Sequence, residues 1–346
     1  MTAGRLIPSK NYETLIRAVS LLPIDIDIKV KIFGDGPHRS TLQKMIESEE
    51  IENIIKKIQS WTDIPICLDS EGAQIRNQSM KTEPINYAKG DIVRIHHDEI
   101  IGDNQNISFT PPQISRNFKV GDKIFLDFNS ACFKVTETNN NFCNAIVEHG
   151  GLVGSNKAAN LDREIPLDVI TQKDKAAIEI GLEMGVSNYS LSFTNSAQDV
   201  AGMRKLIGQQ SNLISKIKSI KGVLNLDEIL SAADQILIDR GDLSREVPIE
   251  KIPFLQRRII ARAKSKNIPV FVATNLLESM IETKNPTRAE VNDVVSTLLM
   301  GADGLVLAAE TAIGKYPLGA VKMINSLIKQ YNRWTPNSSF EDILFD

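Results

Sequence analysis

The feature that most limits what this chain can fold into is its alternation of short apolar runs with amphipathic stretches. Strand candidates fall near residues 3, 31, 66, 191, 215, 238, 271 and 306. Helical periods lie between them, at Asn11–Leu22, His38–Glu49, Ile54–Ser60, Asp174–Met184, Ala197–Ile207, Asn225–Ala232, Ile252–Ser265, Arg288–Met300 and Pro317–Tyr331. Short apolar runs divided by helices mark strands buried on both faces, as in parallel sheets. Eight βα units in a row predict an α/β fold, a (β/α)8 TIM-type barrel.

The rhythm breaks once. From about Asn77 to Leu152 the runs alternate with period two, at Asp91–His96, Lys123–Asp127, Cys132–Thr136 and Cys143–Val147. Gly, Asn, Asp and Pro clusters separate them, which reads as a small inserted β-barrel cap domain. The expected organisation is residues 1–76 as the first part of the barrel, 77–154 as the cap, 155–337 as the rest of the barrel and 338–346 as a tail, with no C-terminal regulatory domain.

Ile236–Leu243, ILIDRGDL, concentrates the chemistry. An apolar run ends in Asp239-Arg240-Gly241-Asp242, a polar turn with a flexible residue. At the carboxyl end of a barrel strand these are the parts of an anion or metal site. A strand-to-helix turn in which Asp242 only caps the next helix is the alternative. Just upstream, Lys216 and Lys218 alternate onto one face of Leu213–Lys218, so two ammonium groups point the same way.

Composition narrows the function. The 346 residues carry 40 Lys and Arg against 43 Asp and Glu, a formal net charge of -3. That gives no basic footprint for nucleic acid and no polybasic membrane patch. No apolar run approaches the roughly 18–20 residues of a membrane span. MTAGRLIPSK lacks the apolar stretch of a signal peptide. Three cysteines, Cys67, Cys132 and Cys143, without a CxxC fit a reducing cytoplasm. His96 and His97, two of only four histidines, are adjacent and face opposite ways on a strand, which argues against a histidine metal centre.

Two resemblances follow from particular residues. Gly4-Arg5-Leu6, Lys10-Asn11, Glu13-Thr14-Leu15 and Gly34-Asp35-Gly36-Pro37 resemble the nucleotide-binding domain of retaining two-Rossmann-domain glycosyltransferases, whose diphosphate-holding Arg and Lys map to Arg5 and Lys10. It covers only about the first 50 residues, and surface or capping roles are the alternative for both. From about residue 60 to 335 the chain resembles pyruvate kinase. The motifs are LDSEGAQIR (Leu68–Arg76), Gly150-Gly151-Leu152 with Lys157 and Asn160, SKIKSIKGVLNLDEI (Ser215–Ile229), RGDL (Arg240–Leu243), ATNLLESM (Ala273–Met280), NPTRAEVNDV (Asn285–Val294) and AAETAIGKYP (Ala308–Pro317).

The second resemblance implies phosphoryl transfer between phosphoenolpyruvate and ADP or related 2-oxo acid chemistry, with Mg²⁺, K⁺ and ADP or ATP as cofactors. Such transfer is mostly positioning and charge stabilisation. By that resemblance Lys216 would stabilise the moving phosphoryl group. Asp242 would hold the divalent metal. Gly241, Asp242 and Thr274 would hold the substrate carboxylate, and Asp69 with Ser70 would assist a monovalent cation. Arg76 would contact substrate. The expected ligand is a small anion, phosphoenolpyruvate or pyruvate, and a homo-oligomer is compatible with the family.

The departures are specific. Lys218 stands where the family has its second metal-binding glutamate. At about 5 Å and an effective dielectric near 20, that exchange turns an attraction of about 7 kcal/mol for a divalent ion into a repulsion of similar size. It predicts impaired metal binding, with Lys218 pairing to Asp242 in the metal's stead. Asp239 replaces an alanine, Asn195 an arginine, Ala308-Ala309 a serine and a glycine. The expectation is therefore a pyruvate-kinase-like protein weakened at its metal. The alternative is a diverged barrel that binds an anionic small molecule, with a faint link to surface-polysaccharide biosynthesis.

Overall fold

The computed structural model describes residues 2–3, 32–33 and 50–345, apart from positions 73, 83, 112, 128, 129, 164 and 166. Arg5, Lys10, the Gly34–Pro37 turn and the helices expected at 11–22 and 38–49 lie outside the described residues. The chain divides into two compact units. Of the described residues, one takes in 50–70 and 172–345 with the two N-terminal strands, and the other those within 71–171.

The first unit is built on six parallel strands. Their spatial order is Gly304–Val306, Val270–Ala273, Gln235–Asp239, Asn212–Ile217, Asn188–Leu191 and Cys67–Asp69. Sequential strands are spatial neighbours, which is the barrel connection. The parallel pair Thr2–Ala3 and Ile32–Phe33 contacts the two outer strands, Thr2–Ala3 against Gly304–Val306 and Ile32–Phe33 against Cys67–Asp69. Eight strands thus run round an almost closed (β/α)8 barrel.

Period-two alternation explains its interior. Cys67, Ile214, Leu237, Phe271, Ala273 and Val306 form one buried cluster inside the sheet. Two residues on, at the same parity and nearer the carboxyl ends, come Asp69, Lys216 and Asp239. Lys218 continues the lysine column. The interior therefore changes from apolar to ionic along the strands. A packed lower layer supports a charged mouth.

The flanking helices follow from periodicity and caps. Ile252–Ser265 buries Ile252, Gln256, Ile259, Ile260 and Ala263, one stripe of an amphipathic helix. Ser196 caps Ala197–Ile207 by accepting from Asp199 N. Arg288–Leu299 starts with a capping box between Thr287 and Glu290. The helix expected at Ile54–Ser60 runs from Glu50 to Trp61. The tail expected at the C-terminus holds a short helix, Phe340–Phe345. Among the described residues no helix is long and apolar enough to cross a membrane.

The second unit is a β domain. Its seven-stranded sheet has the order Ala159–Leu161, Lys123–Leu126, Ala131–Thr138, Phe142–His149, Ile92–His96, Asn106–Thr110 and Arg76–Asn77. A second pair joins Ile85–Tyr87 to Gly151–Val153. Alternating residues such as Val93, Ile95, Phe133, Val135, Ala145 and Val147 form its core. Tyr87 meets Phe133 edge to face with centroids 4.9 Å apart. Arg163 clasps Asp122 through two hydrogen bonds of 2.7 and 2.8 Å. Cys67, in the barrel, and Cys132 and Cys143, in the β domain, are buried.

Candidate active site at the barrel mouth

Lys216 and Lys218 both sit at the carboxyl end of their strand and both are buried, at 5% and 7% exposure. A buried ammonium demands a partner. Lys216 Nζ lies 2.6 Å from Asp69 Oδ2. The intervening strand contributes Ser190, whose hydroxyl donates to Asp69 Oδ1. Ser70 Oγ accepts from Ser192 N at 2.9 Å, tying the ends of the Cys67–Asp69 and Asn188–Leu191 strands.

Lys218 Nζ lies 2.9 Å from Asp242 Oδ2 and 3.5 Å from Asp239 Oδ2. The Phe193 ring covers it, 4.9 Å from nitrogen to centroid. Arg245 approaches the other oxygen of Asp242 at 3.3 Å. Burial opposes the charge on Lys218, but Asp242, Asp239 and Asp69 outweigh it and hold the ammonium well above the ordinary lysine range. Burial likewise pushes Asp242 toward its neutral form, and Lys218, Arg245 and Lys216 outweigh that, holding the carboxyl well below the usual range. Both groups are charged at neutral pH.

The stretch read as a polar turn is a strand end passing directly into a helix. Gln235–Asp239 is followed without a gap by the helix Arg240–Glu246. Asp239 is its N-cap, accepting from Asp242 N at 3.3 Å. Asp242 itself lies in the helix's first turn, and its side chain faces Lys218. Gly241 N donates to Thr274 Oγ1 at 2.8 Å, and Thr274 Oγ1 donates to Ala273 O at 2.6 Å. The N–H groups expected to hold a substrate carboxylate thus have partners within the protein.

Three residues near strand ends hold left-handed backbone: Phe193 (φ 53°), Thr274 (φ 71°) and Asn275 (φ 53°). For a β-branched threonine this conformation is strained. Such strain concentrates where side chains must be aimed. Here it directs Thr274 Oγ1 at Gly241 and Phe193 at Lys218. Arg240 secures the Thr274 loop by donating to Thr274 O at 2.6 and 3.1 Å and pairing with Asp293 at 2.6 Å.

The structure thus brings Lys216, Lys218, Asp69, Ser70, Gly241, Asp242 and Thr274 to the same end of the sheet. Arg76 belongs to the β domain, where Nη1 donates to Asn156 O at 3.1 Å. Phe193 is the site group that the sequence reading passed over, whereas Asp239 and Arg240 were read as parts of the turn without their partners. Parity with Leu237 is the signal that marks Asp239 as inward-facing. The roles of Phe193 and Arg240 depend on a strained bend and a long reach that no local pattern records.

The donor set does not fit a divalent ion. An octahedral Mg²⁺ site draws on one or two carboxylates with free lone pairs. Here Asp242 is engaged by Lys218 and Arg245, and Asp239 by Lys218 and the helix N-terminus. Among the described residues no group of three or more His, Cys, Asp or Glu is placed to hold a metal. A monovalent ion beside Asp69 and Ser70 would share a carboxylate already paired with Lys216.

Fold and site together define a (β/α)8 barrel with an ionic mouth at the carboxyl ends of its strands and a β domain inserted between its third strand and the helix that follows in sequence. Comparison with known proteins makes the class specific. The profile of the pyruvate kinase barrel domain matches residues 26–321. Pyruvate kinase from Thermotoga maritima is 33% identical over 313 residues, 88% of this chain and 66% of the relative. That from Thermococcus litoralis is 35% identical over 285 residues, 81% of this chain and 60% of the relative. That from Geobacillus stearothermophilus is 31% identical over 322 residues, 91% of this chain and 54% of the relative. The chain belongs to the pyruvate kinase family and carries its barrel domain. It spans less than two thirds of the length of these relatives. The match begins upstream of residue 60 and takes in Gly34–Pro37, so the glycosyltransferase resemblance gains no support from it.

Proposed function

We propose that the barrel mouth is a pyruvate-kinase-type site. It takes the carboxylate of phosphoenolpyruvate or pyruvate and uses ADP as phosphoryl partner, and Lys218 weakens the step that a divalent ion assists. The observation that carries this reading is the convergence of Lys216 and Lys218 with Asp69, Asp242, Gly241 and Thr274 at the carboxyl ends of neighbouring strands. Lys216 would offer its ammonium to the moving phosphoryl group, and Asp69 and Ser190 hold it in place. Thr274 and the first turn of Arg240–Glu246 would orient the carboxylate once Thr274 Oγ1 turns from Gly241. Asp242 is the residue that would hold Mg²⁺, whose contribution would be charge neutralisation, and its pairing with Lys218 and Arg245 serves that poorly. Arg76 as a substrate contact, K⁺ at Asp69 and Ser70, and a cytoplasmic, glycolytic setting rest on family resemblance.

A second reading is favoured by the Lys218–Asp242 pair, a barrel that binds an anionic small molecule without transferring phosphate. A coupled assay with phosphoenolpyruvate, ADP, Mg²⁺ and K⁺ separates the two. Turnover lost in Lys216→Ala supports the kinase. No turnover, with thermal stabilisation by pyruvate, supports the binder.

A further inference from the structure

Six charged groups linked in ion pairs around Lys216 and Lys218 balance. Lys216, Lys218 and Arg245 carry three positive charges, and Asp69, Asp239 and Asp242 three negative ones. Lys218 is held by Asp242 at 2.9 Å, by Asp239 at 3.5 Å and by the Phe193 ring at 4.9 Å. Exchanging it for a carboxylate would leave the same six groups at a net charge of -2, the charge one divalent ion neutralises. These six groups are therefore electrically complete without such an ion, and a divalent ion entering beside Lys218 would meet a buried ammonium.

Asp239 takes part in both halves of this arrangement. One oxygen faces Lys218 and the other accepts from Asp242 N and lies 3.5 Å from Thr274 Oγ1. It couples the ammonium to the helix that presents Asp242, so both carboxylates are held at fixed positions round Lys218. A tethered cation with two anchored carboxylates has the parts of an ion site in which the ion is covalently part of the chain.

We propose that the Lys218 ammonium is the resident cation of this barrel mouth, that Asp239 positions it, and that the site takes its carboxylate ligand without a divalent ion. For the ligand this rests on the reading of the site as one for pyruvate or phosphoenolpyruvate. The cation claim stands on geometry alone.

The test has two arms. In the first, Mn²⁺ is titrated into the protein and free Mn²⁺ is read by electron paramagnetic resonance. The wild type should leave the free signal unchanged. Lys218→Glu should take up one Mn²⁺, with affinity raised on the order of 100-fold or more. Lys218→Glu with Asp239→Ala relieves the crowding of carboxylates and serves if the single variant does not fold, as judged by circular dichroism. Mn²⁺ uptake by the wild type equal to that of the variants overturns the proposal. In the second arm, pyruvate-induced thermal stabilisation is measured in EDTA and in Mg²⁺. Equal shifts in the wild type, reduced in Asp239→Ala, support it, and a shift that needs Mg²⁺ overturns it. Absence of any pyruvate shift in wild type and variants defeats the pyruvate reading, while the Mn²⁺ arm still decides the cation claim.

Discussion

Lys216 reaches across a neighbouring strand to Asp69. Its Nζ and Asp69 Oδ2 are 2.6 Å apart although the strand Asn188–Leu191 lies between theirs in the sheet. Ser190, on that strand, donates to the same carboxylate. Three consecutive strands are thus joined at their carboxyl ends by one buried ionic group.

Removing either partner leaves an uncompensated buried charge. Lys216→Met and Asp69→Asn should each destabilise the protein by about 3–5 kcal/mol. The double variant should lose less than the sum by more than about 1 kcal/mol, because the two changes delete one interaction. Chemical denaturation of the four proteins checks this, and strict additivity would disprove the coupling.

Gly222 lets the Phe193–Thr194 bend approach the mouth. A Cβ there would stand 2.6 Å from the Thr194 carbonyl oxygen, a backbone atom that cannot swing aside. Ser219 already ties this turn, accepting from Gly222 N at 3.0 Å. Gly222→Ala should cost about 1–3 kcal/mol despite alanine's better helix propensity. The same substitution should displace Phe193 from Lys218, readable as chemical-shift changes at the lysine.

Glu290 works as a clamp. Its carboxylate accepts from Thr287 N at 2.7 Å and from Ser279 N at 2.6 Å, closing the capping box and fixing the short turn Glu278–Ile281. Glu290 serves the backbone N–H groups and hydroxyls of Ser279 and Thr287. Burial raises its pKa, and the hydrogen bonds from Ser279 and Thr287 outweigh that to lower it. Glu290→Ala should lower stability by about 1–2 kcal/mol in thermal unfolding, with Glu290→Gln restoring part of it.

Acid should weaken the β domain through Asp122. Burial raises this carboxyl's pKa, and the Arg163 guanidinium with Lys119 N outweighs it, so the folded value lies below 3.8. A depressed folded pKa gives stability that is present above the unfolded value, near 4, and is lost as pH falls through the folded one. Arg163→Gln should cost about 1–3 kcal/mol at pH 7. Its stability should also fall less steeply than the wild type's below about pH 4. Parallel pH profiles would show that the pair does not titrate as described.

Strand succession and the inserted β domain were legible because each rests on local patterns. Ala197–Ile207 and Ile252–Ser265 match their sequence limits at both ends, having a serine cap in one case and a strong apolar stripe in the other. Lys216 and Lys218 were placed on one face by parity alone. For Asp239–Asp242 the sequence left open a polar turn or a strand-to-helix junction capped by Asp242; the chain passes from strand to helix there, and the cap is Asp239, the last strand residue, which leaves no loop to see. Asp69 as the partner of Lys216 depends on which strands lie side by side and how far a lysine can span, information that no single segment carries.

On the proposal made above, the Lys218 ammonium stands in place of the divalent ion. The most direct measurement is the Mg²⁺ dependence of phosphoenolpyruvate turnover, with ADP and K⁺ fixed, for the wild type and for Lys218→Glu/Asp239→Ala. A wild-type rate that does not rise with Mg²⁺, beside a variant rate that rises at least about 10-fold, is the predicted result. A wild-type rate that saturates with Mg²⁺ and falls in the variant would contradict it.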